Sequence, residues 1–300
     1  MNKWQRLAVA ASAEIILVAC VALALVANLF ADVLLHNPTN ERYRSLAQST
    51  LTGYQQITLT TQDGVKLSAW YLPSQNGAAI ILLHGYKADH AQMFPVAAML
   101  VRHSYGVILP DLRGHGQSEG EEITFGYNER RDVQAVYQHL ITQPKVDAER
   151  IGVLGNSMGS AIAILYAAEN PGIKAVVAQS PYTSLDDMVA TNIKRLVNLP
   201  PFPLAPMILF FAERKAGFQA ETLAPLRRIR QISPRPVLIV MGGKDTWANP
   251  EGGRQLYAAA GEPRELWFDP ELSHLEFQEK RADEFEQRVV AFFDKYLTAK

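Results

Sequence analysis

From residue 78 onward the chain alternates between two patterns, and that alternation limits its fold more than any other feature. Short, almost wholly apolar runs stand at "AAIILLHG" (78–85), "GVILPD" (106–111), "RIGVLGN" (150–156), "IKAVVAQ" (173–179), "RPVLIVMGG" (235–243) and "RELWFDP" (264–270). Between most of them lie helix-patterned segments at 91–101, 128–141, 158–169 and 252–260, with a last one at 285–297. A strand that is apolar on both sides needs cover on both sides. Helices that return the chain from one parallel strand to the next supply it. The expected class is therefore α/β, a mostly parallel central sheet with helices on both faces. Ahead of this region, "YQQITLTTQDGVKLSAWYLPS" shows two alternating runs about Asp63-Gly64, which predicts a hairpin.

Residues 181–232 break the rhythm. They hold helix-like stretches and the proline cluster "LPPFPLAP" (199–206) but no strand run. Such an insertion between two strands predicts a small helical lid over the active edge of the sheet. Its "MILFF" run (207–211) is open to two readings, packing on the body or contact with an acyl chain.

The segment Leu7–Phe30, "LAVAASAEIILVACVALALVANLF", is long enough to cross a membrane once, a task that takes about 20 residues. Glu14 interrupts it. An acidic residue costs roughly 2.5–3.5 kcal/mol at a helix centre, and the many Leu, Ile, Val and Phe offset this at roughly 0.3–0.6 kcal/mol each. The reading favoured is an uncleaved N-terminal anchor over residues 1–36, then a polar linker over 37–53 and the main domain over 54–300. A cleaved signal with "ALA" at 22–24, a lipoprotein box "LVAC" ending on Cys20, and a buried core helix are the alternatives. Lys3 and Arg6 favour a cytoplasmic N-terminus and an extracytoplasmic main domain, while Arg42 and Arg44 weigh against that orientation.

Composition removes other classes. The formal net charge is −1, with no charged tail, repeat or low-complexity tract, so nothing points to nucleic acid. Cys20 is the single cysteine, which leaves no disulfide and no cysteine metal site. No P-loop or Cys/His cluster calls for a cofactor or a metal.

The chemistry gathers at "RIGVLGNSMGS". A serine on a tight strand-to-helix corner is held in a strained backbone conformation, and its neighbours two places away must be small. Gly155 and Gly159 meet that need around Ser157, and the helix from Met158 directs its positive end at the serine oxygen. This is a nucleophile elbow. A serine hydroxyl needs a base, and the base needs an orienting carboxylate. After such an elbow the chain order is serine, acid, histidine. His274 is the one histidine after Ser157, and it follows the run at 264–270. Asp245, just past the run at 235–243, is the expected acid, with Asp269 as its rival. The expected oxyanion donors are the backbone N–H groups of Met158 and Tyr86. His84 is expected to brace the loop it starts, and Asp186 and Asp187 to cap a helix or lie at the surface. Asp111, Arg113, Gly114 and Gly116 are expected to build a rigid turn, with His115 at its surface or rim.

Taken together, "HGY" (84–86), "DLRGHGQSEG" (111–120), "GNSMG" (155–159), "GGKD" (242–245) and "SH" (273–274) resemble the α/β-hydrolase superfamily over residues 54–297. With the N-terminal anchor and compact lid, the chain resembles its Bem46-like membrane-anchored serine hydrolases. The resemblance implies a Ser-His-Asp esterase-type site at Ser157, His274 and Asp245. It brings no substrate beyond a small-molecule or lipid acyl ester. The single-glycine loop "HGYK" departs from the glycine triplet of many lipases and brings the side chain of residue 86 near the site. A serine peptidase or amidase of this fold is the second reading. A non-catalytic membrane-anchored binding protein is the third.

Overall fold

A computed structural model of the chain describes residues 2–37 and 53–298. In chain order the elements are α1 (Lys3–Leu35), β1 (Gln55–Thr60), β2 (Lys66–Leu72), β3 (Ala79–Leu83), α2 (Phe94–Arg102), β4 (Gly106–Pro110), α3 (Glu129–Ile141), β5 (Ile151–Asn156), α4 (Met158–Glu169) and β6 (Ala175–Gln179). There follow α5 (Leu185–Val197), α6 (Leu204–Ala216), the single turn α7 (Pro225–Arg228), β7 (Val237–Gly242), α8 (Pro250–Ala259), β8 (Arg264–Asp269), the single turn α9 (Phe277–Lys280) and α10 (Ala282–Phe293). Apart from its end residues the expected linker, with Arg42 and Arg44, lies outside the described residues.

The strands form one sheet in the order β1-β2-β4-β3-β5-β6-β7-β8. β1 and β2 are the expected hairpin, closed by Thr61 N–H to Val65 O and Gly64 N–H to Thr61 O at 3.0 Å each. β2 meets β4 antiparallel, and every later pair is parallel. The apolar runs sit where they do because both faces are covered. Along β3, Ala79, Ile81 and Leu83 enter one core with α3 and α4, while Ile80 and Leu82 enter the other with α2 and α10. β7 divides the same way, Val237 and Ile239 against Leu238 and Val240. Side chains of a strand alternate across its sheet, so a continuous apolar run is what a doubly covered strand requires.

The last helix begins earlier than its pattern suggested, at Ala282, because Asp283 and Glu284 in the first turn suit the positive end of a helix. The expected lid holds α5 and α6 with no strand. Ser184 caps α5 by accepting from Asp187 N–H at 3.1 Å, and Asp187 in turn accepts from the Thr183 hydroxyl at 2.8 Å. "MILFF" divides between its two readings. Leu209 is buried in the body, Ile208 faces a cavity and Phe210 is exposed.

α1 is long and apolar enough to cross a membrane, and none of its most apolar 18-residue stretch is buried. Its final turns behave differently. Ala27, Ala31 and Leu35 are buried against the domain. Leu35 O accepts from Ile123 N–H at 2.7 Å, and Lys215 of α6 reaches Asp32 at 2.5 Å.

Candidate active site

β5 ends at Asn156 and α4 begins at Met158, so Ser157 alone makes the corner. Its backbone has φ 53° and ψ −115°, a region that costs an ordinary residue about 1–3 kcal/mol. A Cβ on Gly155 would lie 2.2 Å from the Gly159 carbonyl oxygen. One on Gly159 would lie 2.3 Å from Leu83 O and 2.5 Å from His84 O. Any side chain at either place would drive β5, α4 and the end of β3 apart. The corner is tied down by Ser157 N–H to Gln179 O at 2.8 Å and by Ser160 and Ala161 N–H to Ser157 O.

His274 and Asp245 are brought together from the ends of neighbouring strands. Gly242 and Gly243 let β7 run against the turn after β8, where Cβ atoms would lie 2.4 Å from Leu272 O and 2.7 Å from Pro270 Cα. Lys244 N–H then bonds Leu272 O at 2.8 Å. Across this junction His274 Nδ1 meets Asp245 Oδ2 at 2.7 Å. The other carboxylate oxygen, Oδ1, accepts from Trp247 N–H at 2.8 Å and Ala248 N–H at 3.0 Å. A carboxylate only accepts, so His274 carries its proton on Nδ1 and Nε2 is left as an acceptor. Asp269 is elsewhere engaged. It takes Glu271 N–H at 2.9 Å and pairs with Arg281 Nε at 3.2 Å.

Ser157 lies at the same sheet edge and lines a cavity with Trp247. The indole is tilted over the His274 ring at 6.1 Å between centroids. Among the described residues no hydrogen bond joins the Ser157 hydroxyl to His274. Serine–base bonds in unliganded sites are often long, tightening when substrate arrives.

The loop after β3 stands against the serine. A Cβ on Gly85 would sit 3.5 Å from Ser157 Cβ. Four side chains fix this loop. Gln92 accepts from Gly85 N–H at 2.7 Å. His84 Nε2 accepts from Leu112 N–H at 3.0 Å, and its Nδ1–H donates to Gly85 O at 2.8 Å. Burial holds His84 down to about 3, with the neighbouring His115 adding to the effect. Tyr86 donates to Leu34 O at 2.8 Å and Val33 O at 3.0 Å, and burial keeps its phenol well above the ordinary range. The bracing role expected of His84 is what the structure has.

His115 corrects the expectation. It is fully buried, not at a rim. Its Nδ1–H donates to Arg113 O at 2.9 Å and its Nε2 takes Lys87 N–H at 3.2 Å, so it is the fourth side chain holding the loop beside Ser157. Burial lowers its pKa too. A histidine in a polar, glycine-rich segment looks like a surface residue, and only the fold brings the two loops together.

The turn at 111–120 is rigid, as expected. Asp111 Oδ1 accepts from His90 N–H at 2.8 Å and His90 Nδ1–H at 2.7 Å, and Oδ2 accepts from Gln117 N–H at 2.8 Å. Arg113 joins buried Asp132 at 2.7 Å and Asp63 at 2.8 Å, the latter held below the usual carboxylate range by that Arg113 bond.

The cavity at Ser157 is about 310 Å³. Its walls are apolar, with Phe30, Val33 and Leu34 of α1 facing Val189, Ile193 and Leu196 of α5. Its charged lining residues are Lys87 and Arg195, both cationic. The wall given by α1 was missed by sequence reasoning, because an apolar N-terminal helix carries no mark of what its last turn touches.

Comparison with known proteins agrees with this architecture. The sequence matches the family described as "Hydrolase_4: Serine aminopeptidase, S33" over residues 74–215, a span that stops before Asp245 and His274. It is 30% identical over 231 residues to an uncharacterized protein of Mycobacterium tuberculosis, covering 76% of this chain and 75% of the relative. An "Alpha/beta hydrolase domain-containing protein" of Arabidopsis thaliana is 26% identical over 262 residues, covering 82% and 80%. An esterase of Pyrococcus furiosus superposes with a TM-score of 0.73 at 28% identity, over 87% of this chain and 100% of that one.

Proposed function

Because the chain belongs to the α/β-hydrolase superfamily, we propose that it is a serine hydrolase that cleaves carboxylic ester or thioester bonds through an acyl-enzyme. The observation that carries the reading is the 2.7 Å bond between His274 Nδ1 and Asp245, at the sheet edge where the strained Ser157 opens into an apolar cavity. His274 Nε2 takes the proton of Ser157 as its hydroxyl attacks the carbonyl carbon. Asp245 holds the tautomer and stabilises the imidazolium. The N–H groups of Tyr86 and Met158 receive the oxyanion, at about 2.7–4 kcal/mol per donor in comparable sites. The imidazolium then protonates the leaving alcohol or thiol, and water returns the acid and the free serine. Members of the fold described as esterases, such as the Pyrococcus furiosus enzyme, support an ester substrate.

A peptidase or amidase is the second reading, favoured by the description of the matched family as a serine aminopeptidase. An aminopeptidase must hold the ammonium group of its substrate. Among the described residues lining the cavity there is no carboxylate, while Lys87 and Arg195 are cationic and would repel it. Esters therefore rank first. Labelling by a fluorophosphonate probe, lost in Ser157→Ala, tests the hydrolase reading. No labelling of folded protein would leave a non-catalytic binding protein. A series of p-nitrophenyl esters beside an aminoacyl anilide separates esterase from peptidase, and preference for the anilide reverses the ranking.

The same reading makes residues 1–36 an uncleaved single-pass anchor, 54–300 the catalytic domain and 181–232 its lid, with the domain extracytoplasmic. The length and apolar character of α1 over Lys3–Leu35 support the anchor. Carbonate extraction of the full chain beside a chain beginning at residue 37 tests anchoring. Protease access in intact spheroplasts tests the side.

A further inference from the structure

The last turns of α1 do more than tether the domain. Phe30, Val33 and Leu34 form one wall of the cavity that holds Ser157, opposite Val189, Ile193 and Leu196 of α5. They are fixed there by polar bonds to the loop beside the nucleophile. Val33 O accepts from the Tyr86 hydroxyl at 3.0 Å and from Lys87 Nζ at 2.8 Å, Leu34 O accepts from Tyr86 at 2.8 Å, and Asp32 meets Lys215 at 2.5 Å. The bonds to Val33 and Leu34 use backbone carbonyls at the helix end, which have no partner within the helix. The wall is thus held in register with Ser157 by the residue whose amide the mechanism uses for the oxyanion.

The rim of the cavity is apolar and open. Val33 is 61% exposed on the α1 side and Leu196 is 62% exposed on the α5 side, and both line the cavity. Beside them the lid exposes Val197, Leu199, Phe202 and Phe210. On α1 the exposed strip continues from Val33 through Leu29 and Leu25 to Val21, Val18 and Ile15. A helix exposed and apolar over such a length is unfavourable in water and suited to a bilayer. Exposed apolar residues scattered singly need no explanation, but a contiguous field that runs from a membrane-length helix into the mouth of a cavity does.

From this continuity we propose that the substrate is a membrane lipid ester whose acyl chain slides from the bilayer between α1 and α5 and lies against Phe30, Val33 and Leu34 during attack by Ser157. The proposal rests on the serine hydrolase reading. The anchor is then part of the binding site. Its acyl selectivity comes from methylenes buried along the α1–α5 cleft, each worth about 0.8 kcal/mol, or roughly fourfold in kcat/KM.

The test uses the full chain reconstituted in phosphatidylcholine vesicles. Val33→Trp fills the cleft while leaving the carbonyl bonds of residue 33 in place. Val33→Ala widens it. The readout is the ratio of kcat/KM for p-nitrophenyl octanoate to that for the acetate, which cancels any change in the amount of active enzyme. The ratio is expected to fall at least tenfold in Val33→Trp and to hold or rise in Val33→Ala. Entry from the bilayer is read with p-nitrophenyl palmitate placed either in the vesicles that carry the enzyme or in separate ones. Cleavage at least tenfold faster in the shared vesicles is expected. An unchanged ratio in Val33→Trp, or equal cleavage from both vesicle populations, overturns the proposal. Fluorophosphonate labelling of Ser157 accompanies each measurement. Normal labelling with an unchanged ratio sinks the cleft alone, whereas no labelling and no acetate turnover in the parent chain sink the hydrolase reading and the cleft with it.

Discussion

Asp245→Asn separates charge and orientation from packing at His274, the proposed catalytic base. Asp245 accepts Trp247 and Ala248 N–H on Oδ1 and the His274 N–H on Oδ2. In the variant, one oxygen remains. Two backbone donors fix it on the Trp247 side, because turning the amide round would set its NH2 against both N–H groups. The NH2 must then face His274 and donate to Nδ1. The ring proton moves to Nε2, the atom that accepts from Ser157 in the proposed mechanism. The expected loss is about 10⁴-fold in kcat, the scale seen when a triad aspartate becomes asparagine, or roughly 5 kcal/mol of barrier. Folding should change little, because the two backbone bonds survive and the amide fills the same space. The assay is steady-state hydrolysis of p-nitrophenyl acetate with thermal melting of the same detergent sample. Asp269→Asn is the control, since that carboxylate pairs with Arg281 at 3.2 Å and should leave kcat within about threefold. An Asp245→Asn enzyme within tenfold of the parent, or an Asp269→Asn enzyme crippled like it, would refute the reasoning.

Other outcomes follow from the same packing. Gly159→Ala sets a Cβ 2.3 Å from Leu83 O, a backbone atom that cannot swing aside, so stability should fall by about 1–3 kcal/mol and fluorophosphonate labelling should slow more than tenfold. Arg113→Ala leaves buried Asp132 without its cation and should cost about 3–5 kcal/mol, roughly 6–20 °C in Tm by differential scanning fluorimetry. His84 is neutral in the fold, at about 3, and ordinary when unfolded. A histidine with a depressed pKa lends stability above its unfolded pKa of about 6.5, and this drains away as pH falls toward the folded value, by up to about 1.4 kcal/mol per pH unit. Melting between pH 7 and pH 4.5 should therefore show a steeper acid loss for the parent than for His84→Gln, and equal slopes would contradict the burial argument.

Much of this architecture is legible in local sequence, for reasons that differ by element. Ile80, Ile81 and Leu82 read as strand because both sides of β3 are covered. Ser157 stands out because only glycine tolerates the carbonyls at Gly155 and Gly159, a steric demand written into adjacent positions. Asp245 and His274 could be picked by chain order because each follows a strand at the same edge. What stayed hidden depends on contacts between distant segments. Nothing near His115 signals that its Nε2 will take the Lys87 amide. Nothing in "ANLFADVLL" signals that its carbonyls will hold Tyr86, because a backbone carbonyl at a helix end carries no side-chain signature of its partner. Asp63 was readable as a hairpin residue, yet its carboxylate also pairs with Arg113 and Arg131 from far along the chain.

The central claim is covalent and can be read directly. Rapid acid quench of the full chain during turnover of p-nitrophenyl acetate, followed by peptide mass mapping, should find the acetyl group on the peptide that holds Ser157. The burst of nitrophenol should equal the amount of adduct, and both should vanish in Ser157→Ala. Turnover with no acetyl on Ser157, or with the group on another residue and Ser157→Ala fully active, would contradict the account.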